Sequence, residues 1–270
     1  MSNEVNIIYI GGYGRSGSTL LERIIASSDK IIGIGEFLKY KKLTIEGNLC
    51  SCGSRFSDCE FWSHIIDDNS ISQESLMARL INYGKEKDIS YLIDSSKTTR
   101  MSIKKPLMWK KNTEVKFIHL VRNGVSCMNS NLSFNLRPMS QREEKIVYKF
   151  PFFRTLFSWS FSNYISELYK LSLGKRNYLR VRYEDLISDP ISVIRRLEEF
   201  LNLDLKDTIL MLQNNNPIPL THQLDGNRIK TKDPLYLNKN ILGTVDEKKS
   251  SMENKMFKAV NFHLLNRYKY

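Results

Sequence analysis

An apolar run, a glycine-rich loop and an amphipathic helix follow one another near the start of the chain, and this order constrains the fold more than any other feature. Residues 5–10, Val-Asn-Ile-Ile-Tyr-Ile, have the composition of a buried strand and stop at Gly11-Gly12. Over residues 18–28 the leucines and isoleucines recur at the spacing of one helix face. In an open α/β sheet such a loop lies where ligands bind, so we expect a binding site here.

Further strands and helices alternate along the rest of the chain. Strand-like runs cover residues 31–35, 91–94, 115–121 and 179–183. Helical spacing predicts helices over about 73–87, 98–111, 123–136, 151–174, 190–202 and 246–270. The alternation predicts an α/β fold in a single domain over residues 1–270, with a mostly parallel central sheet flanked by helices. Residues 214–240 form a long irregular segment with three prolines, which we predict to be a mobile flap.

Composition and charge narrow the possible classes of protein. Hydrophobic residues make up 41% of the chain, which is typical of globular proteins and excludes disordered or fibrous chains. Forty-one Lys and Arg against 29 Asp and Glu give a net charge of +12, which favours an anionic partner. No apolar run reaches the roughly 18 residues of a membrane span. The first residues do not resemble a secretory signal, so we expect a cytoplasmic protein without membrane insertion.

The glycine loop, residues 12–19, is an anion site in each of three interpretations, because its backbone amides and the following helix N-terminus attract negative charge. Its glycine spacing fits a dinucleotide fingerprint, with Glu36 near the ribose-binding position. It also fits a Walker loop in which Ser18 replaces the lysine. In the third interpretation, which we favour, the loop binds a different phosphate ligand whose group transfer requires neither that lysine nor magnesium. A kinase loop without its lysine lacks a phosphate contact, whereas a sulfuryl group carries only one charge and requires less cationic help.

Residues 14–21, Gly-Arg-Ser-Gly-Ser-Thr-Leu-Leu, resemble the 5′-phosphosulfate loop of sulfotransferases, which use 3′-phosphoadenosine 5′-phosphosulfate (PAPS). The resemblance implies a P-loop-like sulfotransferase architecture with PAPS as the sulfuryl donor. It also implies that the loop contacts the cofactor through Gly14, Arg15, Ser16, Gly17, Ser18 and Thr19.

Two later segments extend the resemblance. Arg122 at a strand end, followed by Ser130 eight residues later, resembles the family's 3′-phosphate segment. A guanidinium and a hydroxyl two helical turns apart can bind one phosphate together. Residues 222–228 resemble the C-terminal cofactor flap, which implies cofactor contacts from Gly226, Asn227 and Arg228. The resemblance runs from about residue 7 to residue 230, and residues 40–90 are where we expect the acceptor to be selected.

Three residues are candidates for the chemistry. Gly35-Glu36 ends the second strand, and relatives that include the protein-tyrosine branch carry the general base at such a Gly-Glu; the alternative for Glu36 is a helix cap. Lys97 follows a Ser-Ser turn at the end of the third strand and can reach the transferred group, as a lysine does in related enzymes; its alternative is a solvated basic helix. Arg15 can meet the charge that develops on the leaving oxygen.

The cysteines leave several interpretations open. Cys50, Cys52 and Cys59 give a C-x-C pair and one further thiol, which is a weak metal signal because zinc sites commonly have four ligands with C-x2-C spacing. A disulfide is disfavoured in a reducing compartment. Similar Cys-rich turns that end in Phe-Trp occur in bacterial sulfotransferases, so a structural element is a third possibility. His64 and His222 are reserve candidates for the base.

The residues and the resemblance together predict a PAPS-dependent sulfotransferase that acts on a hydroxyl or amine of a small-molecule acceptor, with no metal in the reaction. The alternatives are a nucleotide kinase-like P-loop enzyme and a basic nucleic-acid-binding protein. We expect no nucleic-acid partner, because no zinc finger or RNP-like motif accompanies the charge. The oligomeric state and the acceptor are not determined by the sequence.

Overall fold

Five parallel strands form one central sheet in the computed structural model, which describes residues 4–66, 72–99, 101–135, 150–237 and 252–270. The strands are β1 (Asn6–Gly11), β2 (Ile31–Gly35), β3 (Tyr91–Asp94), β4 (Val115–Val121) and β5 (Tyr178–Arg182). They lie in the order β2-β3-β1-β4-β5, and every pairing is parallel. The predicted α/β class and parallel sheet are confirmed. Because β1 lies in the middle, its glycine loop lies between the ends of β3 and β4.

Helices cover both faces of the sheet. In the described part of the chain they are α1 (Ser18–Ile25), α2 (Gln73–Glu86), α3 (Lys105–Lys110), α4 (Gly124–Asn135), α5 (Pro151–Ser172), α6 (Tyr183–Ser188), α7 (Pro190–Leu201), α8 (Lys206–Gln213) and α9 (Met252–Arg267). None of them has the length and hydrophobicity that a membrane span requires.

Both faces of β1 are buried, which explains its nearly continuous apolar sequence. Ile8 and Ile10 pack with α1, α6, α7 and α8 on one face. Ile7 and Tyr9 pack on the other face, against α2, α3 and the segment that contains Trp62. A third apolar cluster joins α4, α5 and α9. The sheet is therefore packed on both faces, and the loops at its carboxyl edge project from it.

Several element bounds differ from the predictions. The helix predicted over residues 98–111 is only α3, because the amide of Ser102 donates to Thr99 O and Thr99 Oγ1 (both 3.2 Å) in a turn and not to Thr98 O, its acceptor in an α-helix; residue 100 lies outside the described residues. The first predicted helix ends at Ile25, and α6 and α8 had not been predicted. Residues 246–251 of the last predicted helix lie outside the described residues, as do residues 238–240 of the predicted flap.

Candidate active site

The glycine loop leads from β1 into α1 at the carboxyl edge of the sheet. Gly12 has φ +114°, and a Cβ atom there would lie 2.2 Å from Leu120 O of β4. Gly17 has φ +93°, and a Cβ atom there would lie 2.4 Å from the ring of Tyr183. Gly17 O accepts the first hydrogen bonds of α1, so the first amides of the helix are left without intrahelical acceptors. Such amides are donors for an anion.

Arg122 joins the second predicted anion segment to this loop. Its Nη1 donates to the carbonyl oxygen of Arg15 (2.8 Å), and its guanidinium lies 4.5 Å over the ring of Tyr183. This bond occupies one N–H of a group that has five. Arg122 directly precedes Asn123, whose Oδ1 caps α4 by accepting from the amides of residues 125 and 126 (3.0 and 3.2 Å). Ser130 lies two turns along α4 and is half-buried.

Glu36 follows β2, and its carboxylate is buried between two lysines. Lys97 Nζ forms a short ion pair with Glu36 Oε1, and Lys39 Nζ lies 3.4 Å from Glu36 Oε2. Burial opposes ionisation, but the two ammonium groups outweigh it and hold the pKa of Glu36 below its usual value. Glu36 precedes a short 3₁₀ helix (Phe37–Thr44), and its side chain makes no capping hydrogen bond. The predicted base and the predicted lysine are therefore brought together as a partly buried pair.

Lys97 holds a backbone conformation that favours glycine, with φ +64°. Its carbonyl oxygen accepts from the hydroxyls of Tyr9 and Ser102, both at 2.7 Å. Its amide donates to Ile10 O of β1 (3.2 Å). Such strain persists only where the surroundings impose it, and it is common at functional sites. These bonds place Lys97 at the end of β1, next to the glycine loop.

Thr98 strengthens this junction. Its hydroxyl accepts from the Gly12 amide (3.1 Å), and its own amide donates to Gly12 O (2.9 Å). The same hydroxyl lies 2.7 Å from Ser166 Oγ of α5. The β3 loop and the glycine loop thus form one hydrogen-bonded unit, and Lys97 cannot move independently of the loop beside it.

The irregular segment 214–237 borders Glu36. The amide of Glu36 donates to Asp225 O (3.2 Å), and the amide of Leu224 donates to Ile34 O of β2 (3.0 Å). Gly35, with φ +76°, permits this approach because a Cβ atom there would lie 2.6 Å from Asp225 O. The segment therefore adds its backbone to the end of β2.

Asp225 gathers lysines around the same edge. Its carboxylate contacts Lys39 (2.7 Å), Lys42 (2.8 Å) and Lys230 (3.7 Å). Although burial opposes ionisation, these charges lower the pKa of Asp225 well below its usual value. Because Lys39 also contacts Glu36, the two carboxylates share one cation. The edge therefore combines two buried carboxylates with four lysines.

The predicted cofactor residues of the flap lie beside α1. The amide of Asn227 donates to Thr19 Oγ1 (3.1 Å), and a Cβ atom at Gly226 would lie 3.1 Å from the same oxygen. Arg228 begins the 3₁₀ turn Arg228–Lys230, and its side chain lies outside the described part of the structure. The Ser16 hydroxyl lies 3.9 Å from Cys127 Sγ of α4. The structure thus brings the glycine loop together with both later segments.

Two charged residues of α1 were missed by sequence reasoning. Glu22 is fully buried, accepts from the Gly35 amide (2.6 Å) and from Ser95 Oγ (2.5 Å), and burial raises its pKa to about 8. Arg23, also fully buried, donates to four carbonyl oxygens of segment 214–237. The only signal was their position beside the apolar stripe of the helix, where charged residues are usually solvated.

The cysteine cluster gains a fourth member in the structure. Cys50, Cys52, Cys59 and His222 place their sulfur and nitrogen atoms within 4.8 Å of one another. His222 lies 163 residues after Cys59, so sequence spacing gave no reason to join them. Its ring is therefore a member of this cluster, and its backbone accepts from Trp62 Nε1 (2.7 Å).

A basic groove of about 1010 Å³ lies elsewhere, along the edge strand β5. Its walls include Arg180 and Arg267, both paired with Glu167 (3.6 and 3.3 Å), and they include none of the predicted site residues whose side chains the structure describes. The carboxylate partly neutralises these charges. The groove is separate from the candidate active site.

Residues 7–207, about three-quarters of the chain, match the family model described as the sulfotransferase family. The chain belongs to the sulfotransferase family. Membership of this family shows the general activity of the protein, which is the transfer of a sulfuryl group. No curated protein sequence matches the chain.

Solved structures show the same fold. The sulfotransferase domain of the Synechococcus PCC 7002 olefin synthase has a TM-score of 0.60 and 18% identity, covering 100% of this chain and 96% of that chain. The sulfotransferase domain from the curacin biosynthetic pathway has a TM-score of 0.57 and 18% identity, covering 96% and 97%. Mouse sulfotransferase SULT7A1 complexed with PAP has a TM-score of 0.53 and 13% identity, covering 98% and 86%. The protein therefore shares its fold with these three structures at low sequence identity.

Proposed function

We propose that this sulfotransferase transfers the sulfuryl group of PAPS to a hydroxyl or amine group of a small-molecule acceptor. One observation carries the proposal: the partly buried pair of Glu36 and Lys97 lies at the strand ends that also carry the glycine loop. A carboxylate next to an anion-binding loop can accept the proton of an attacking hydroxyl. The lysine beside it can meet the charge on the transferred group.

Two anion-binding segments at neighbouring strands support PAPS as the donor, because PAPS has charged groups at both ends of its nucleoside. Residues 14–19 and the first amides of α1 would hold the 5′ end, and Arg122 with Ser130 would bind the 3′-phosphate. A Cβ atom at Gly14 would meet nothing within 4 Å, so a ligand can approach the backbone closely there. Gly226, Asn227 and Arg228 belong to the segment that would cover the cofactor. Bound PAPS would supply the sulfuryl group, with 3′-phosphoadenosine 5′-phosphate (PAP) as the leaving product.

The charges around Glu36 define its part in the reaction. With its pKa lowered, the carboxylate stays ionised at neutral pH and can receive a proton without first losing one. Lys97 forms the short ion pair with Glu36 Oε1, whereas Glu36 Oε2 lies farther from its lysine, 3.4 Å from Lys39 Nζ. We assign the acceptor proton to this carboxylate. Lys97 and Arg15 are assigned to the negative charge on the sulfuryl and leaving oxygens.

The donor is tested by calorimetric titration with PAP, adenosine 5′-phosphate, ATP and NAD. We expect PAP to bind more tightly than adenosine 5′-phosphate by about tenfold or more, because a charge-assisted contact to the 3′-phosphate contributes ~1.5–3 kcal/mol. Equal affinities for these two nucleotides would remove the proposed 3′-phosphate site. Preferential binding of ATP with magnesium would instead support the kinase-like alternative.

The chemistry is tested with labelled PAPS on a panel of phenols, alcohols and amines, followed by Glu36→Gln with the best acceptor. We expect kcat to fall by about 10²–10⁴-fold, because the amide keeps the shape but cannot take the proton. PAP affinity should stay close to that of the unaltered protein. Glu46→Gln, an exposed carboxylate on the same segment, is the matched control. Unchanged turnover in Glu36→Gln would refute the base assignment while leaving the donor assignment standing.

A further inference from the structure

The cluster of three thiols and one imidazole has the dimensions of a metal site. Cys52 Sγ lies 3.7 Å from Cys59 Sγ, and His222 Nδ1 lies 3.3 Å from Cys59 Sγ and 3.9 Å from Cys50 Sγ. Around a tetrahedral zinc ion, with bonds of about 2.3 Å to sulfur and about 2.0–2.1 Å to nitrogen, two sulfurs lie about 3.8 Å apart and a sulfur and a nitrogen about 3.6 Å. The measured distances lie close to these values.

The kind of ligand also selects the metal. Thiolates are soft ligands, and three of them with an imidazole form a Cys3His set, which is typical of closed structural zinc sites. Magnesium and calcium take oxygen ligands instead. A disulfide would require two sulfurs about 2.05 Å apart. All four cysteines of the chain are free thiols in the structure, so the cluster is in the form that a metal can bind.

The backbone around the cysteines is already folded for ligation. Gly53, at φ +94°, donates to Cys50 O (3.0 Å), and the amide of Cys50 donates to Ser54 O (2.9 Å). This tight turn brings the thiols of Cys50 and Cys52 to one side. An isolated bridge between Leu49 and Arg55 closes the base of the turn. Little rearrangement is therefore required before a metal binds.

Hydrogen bonds fix the backbone of His222 and of the residues immediately before and after it. Ser51 Oγ donates to Thr221 O in a short bond and accepts from the amide of Gln223 (2.7 Å), so one serine holds both neighbours of His222. Trp62 Nε1 donates to His222 O (2.7 Å). Supporting contacts of this kind orient metal ligands in known sites.

We propose that Cys50, Cys52, Cys59 and His222 bind one Zn²⁺ ion and that the ion fastens segment 214–237 to the turn at residues 50–59. As the ion enters, the three thiol protons leave to solvent and the imidazole binds through Nδ1 as a neutral ligand. Three thiolates and Zn²⁺ leave a net charge of −1 on the site. No redox step is involved, because zinc has one stable oxidation state.

The position of His222 gives the ion a role for the neighbouring site. Three residues later, Asp225 accepts from the Glu36 amide and contacts Lys39 and Lys42. Fixing His222 therefore also fixes the part of segment 214–237 that contacts Glu36. The zinc ion is structural in this proposal and takes no part in sulfuryl transfer, so the inference is independent of the donor, the acceptor and the base proposed above.

The test is the metal content of full-length protein, purified under reducing conditions without chelator or affinity tag and measured by inductively coupled plasma mass spectrometry. We expect about one zinc ion per chain, falling below about 0.1 in Cys59→Ser and in His222→Ala. The matched controls are Cys127→Ser and His64→Ala, which remove the same kinds of side chain outside the cluster and should keep the ion. Cobalt reconstitution should give the absorption of tetrahedral thiolate-bound Co²⁺ in the unaltered protein and in these controls alone.

A second measurement uses the unaltered protein, in case a ligand variant fails to fold. A mercurial thiol reagent in the presence of a zinc indicator should release about one zinc ion per chain, and trypsin should then cleave faster at Lys230 and Lys232. Protein that stays zinc-free after reconstitution, with four titratable thiols or a mass two hydrogens lower, would overturn the proposal. Equal zinc in the ligand variants and the controls would also overturn it, and an unchanged cleavage rate would overturn the fastening role.

Discussion

Arg23 is the residue whose removal tests most directly how segment 214–237 is held over the candidate site. Its guanidinium is fully buried and donates to the carbonyl oxygens of Ile218 (2.6 Å), Pro219 (2.9 Å), Ile229 (2.6 Å) and Lys232 (2.8 Å). These acceptors lie at both ends of the segment, and one side chain of α1 therefore closes it into a loop. Arg23→Met keeps the length of the side chain but removes every donor.

The size of the effect follows from the four carbonyl groups. A buried acceptor left without its partner costs ~1–3 kcal/mol, which gives an upper limit of roughly 4–12 kcal/mol for four. The segment avoids most of this by detaching and exposing its carbonyls to water, so the loss is limited to the free energy that holds the segment in place. Arg23→Met removes the buried charge together with its donors, so the loss is set by hydrogen bonds to a charged group, which contribute ~1.5–3 kcal/mol each in other proteins. We therefore expect about 3 kcal/mol.

The assay is urea unfolding, combined with amide hydrogen exchange over residues 214–237. We expect Arg23→Met to lower the free energy of unfolding by about 3 kcal/mol and to speed exchange in the segment more than in β1. Arg196→Met is the matched control, because Arg196 is exposed and donates to one carbonyl, that of Arg180 (3.1 Å), so a loss below ~0.5 kcal/mol is expected. Equal losses in the two variants, or exchange that does not change in the segment, would refute the reasoning.

Three further predictions concern single residues. Arg122→Ala should raise the KM for PAPS more than it lowers kcat, since a 3′-phosphate contact is lost equally in ground and transition states; steady-state kinetics with an unchanged KM would contradict this. Arg15→Ala should mainly lower kcat, because charge on the leaving oxygen develops only as its bond breaks, and a pure KM effect would contradict it. Glu22→Gln tests a buried acid whose pKa burial raises to about 8. Between pH ~4.5 and ~8 the folded protein keeps that proton and the unfolded chain loses it, so the free energy of unfolding falls by the order of 3–5 kcal/mol as the pH rises through this window. Unfolding curves at pH 5 and pH 8 should show this fall in the unaltered protein and not in Glu22→Gln; parallel pH profiles would contradict this.

The local sequence was enough to predict the strands and the long helix that are encoded by unbroken runs of neighbouring residues. The five strands are short runs rich in aliphatic and aromatic residues that stop at glycine or charged residues, and residues 151–174 contain six turns of helical spacing, so their positions were predicted closely. The short helices α6 and α8 were missed because six to eight residues contain too little periodicity to be distinguished from a loop. The helix predicted from residue 98 was wrong because the amide of Ser102 bonds the backbone and the hydroxyl of Thr99, and this turn competes with helical bonding.

By itself, the sequence determined the α/β class and the family, because strand composition, the glycine loop and residues 14–21 are each properties of neighbouring residues. Only the tertiary structure decided which distant charges meet. Lys97 pairs with Glu36, Arg23 binds segment 214–237 and His222 joins three cysteines, in each case across 60 residues or more. Such contacts depend on the strand order β2-β3-β1-β4-β5 and on the path of segment 214–237, which no local pattern specifies. A buried charge is stable only beside a partner, and the fold alone supplies that partner.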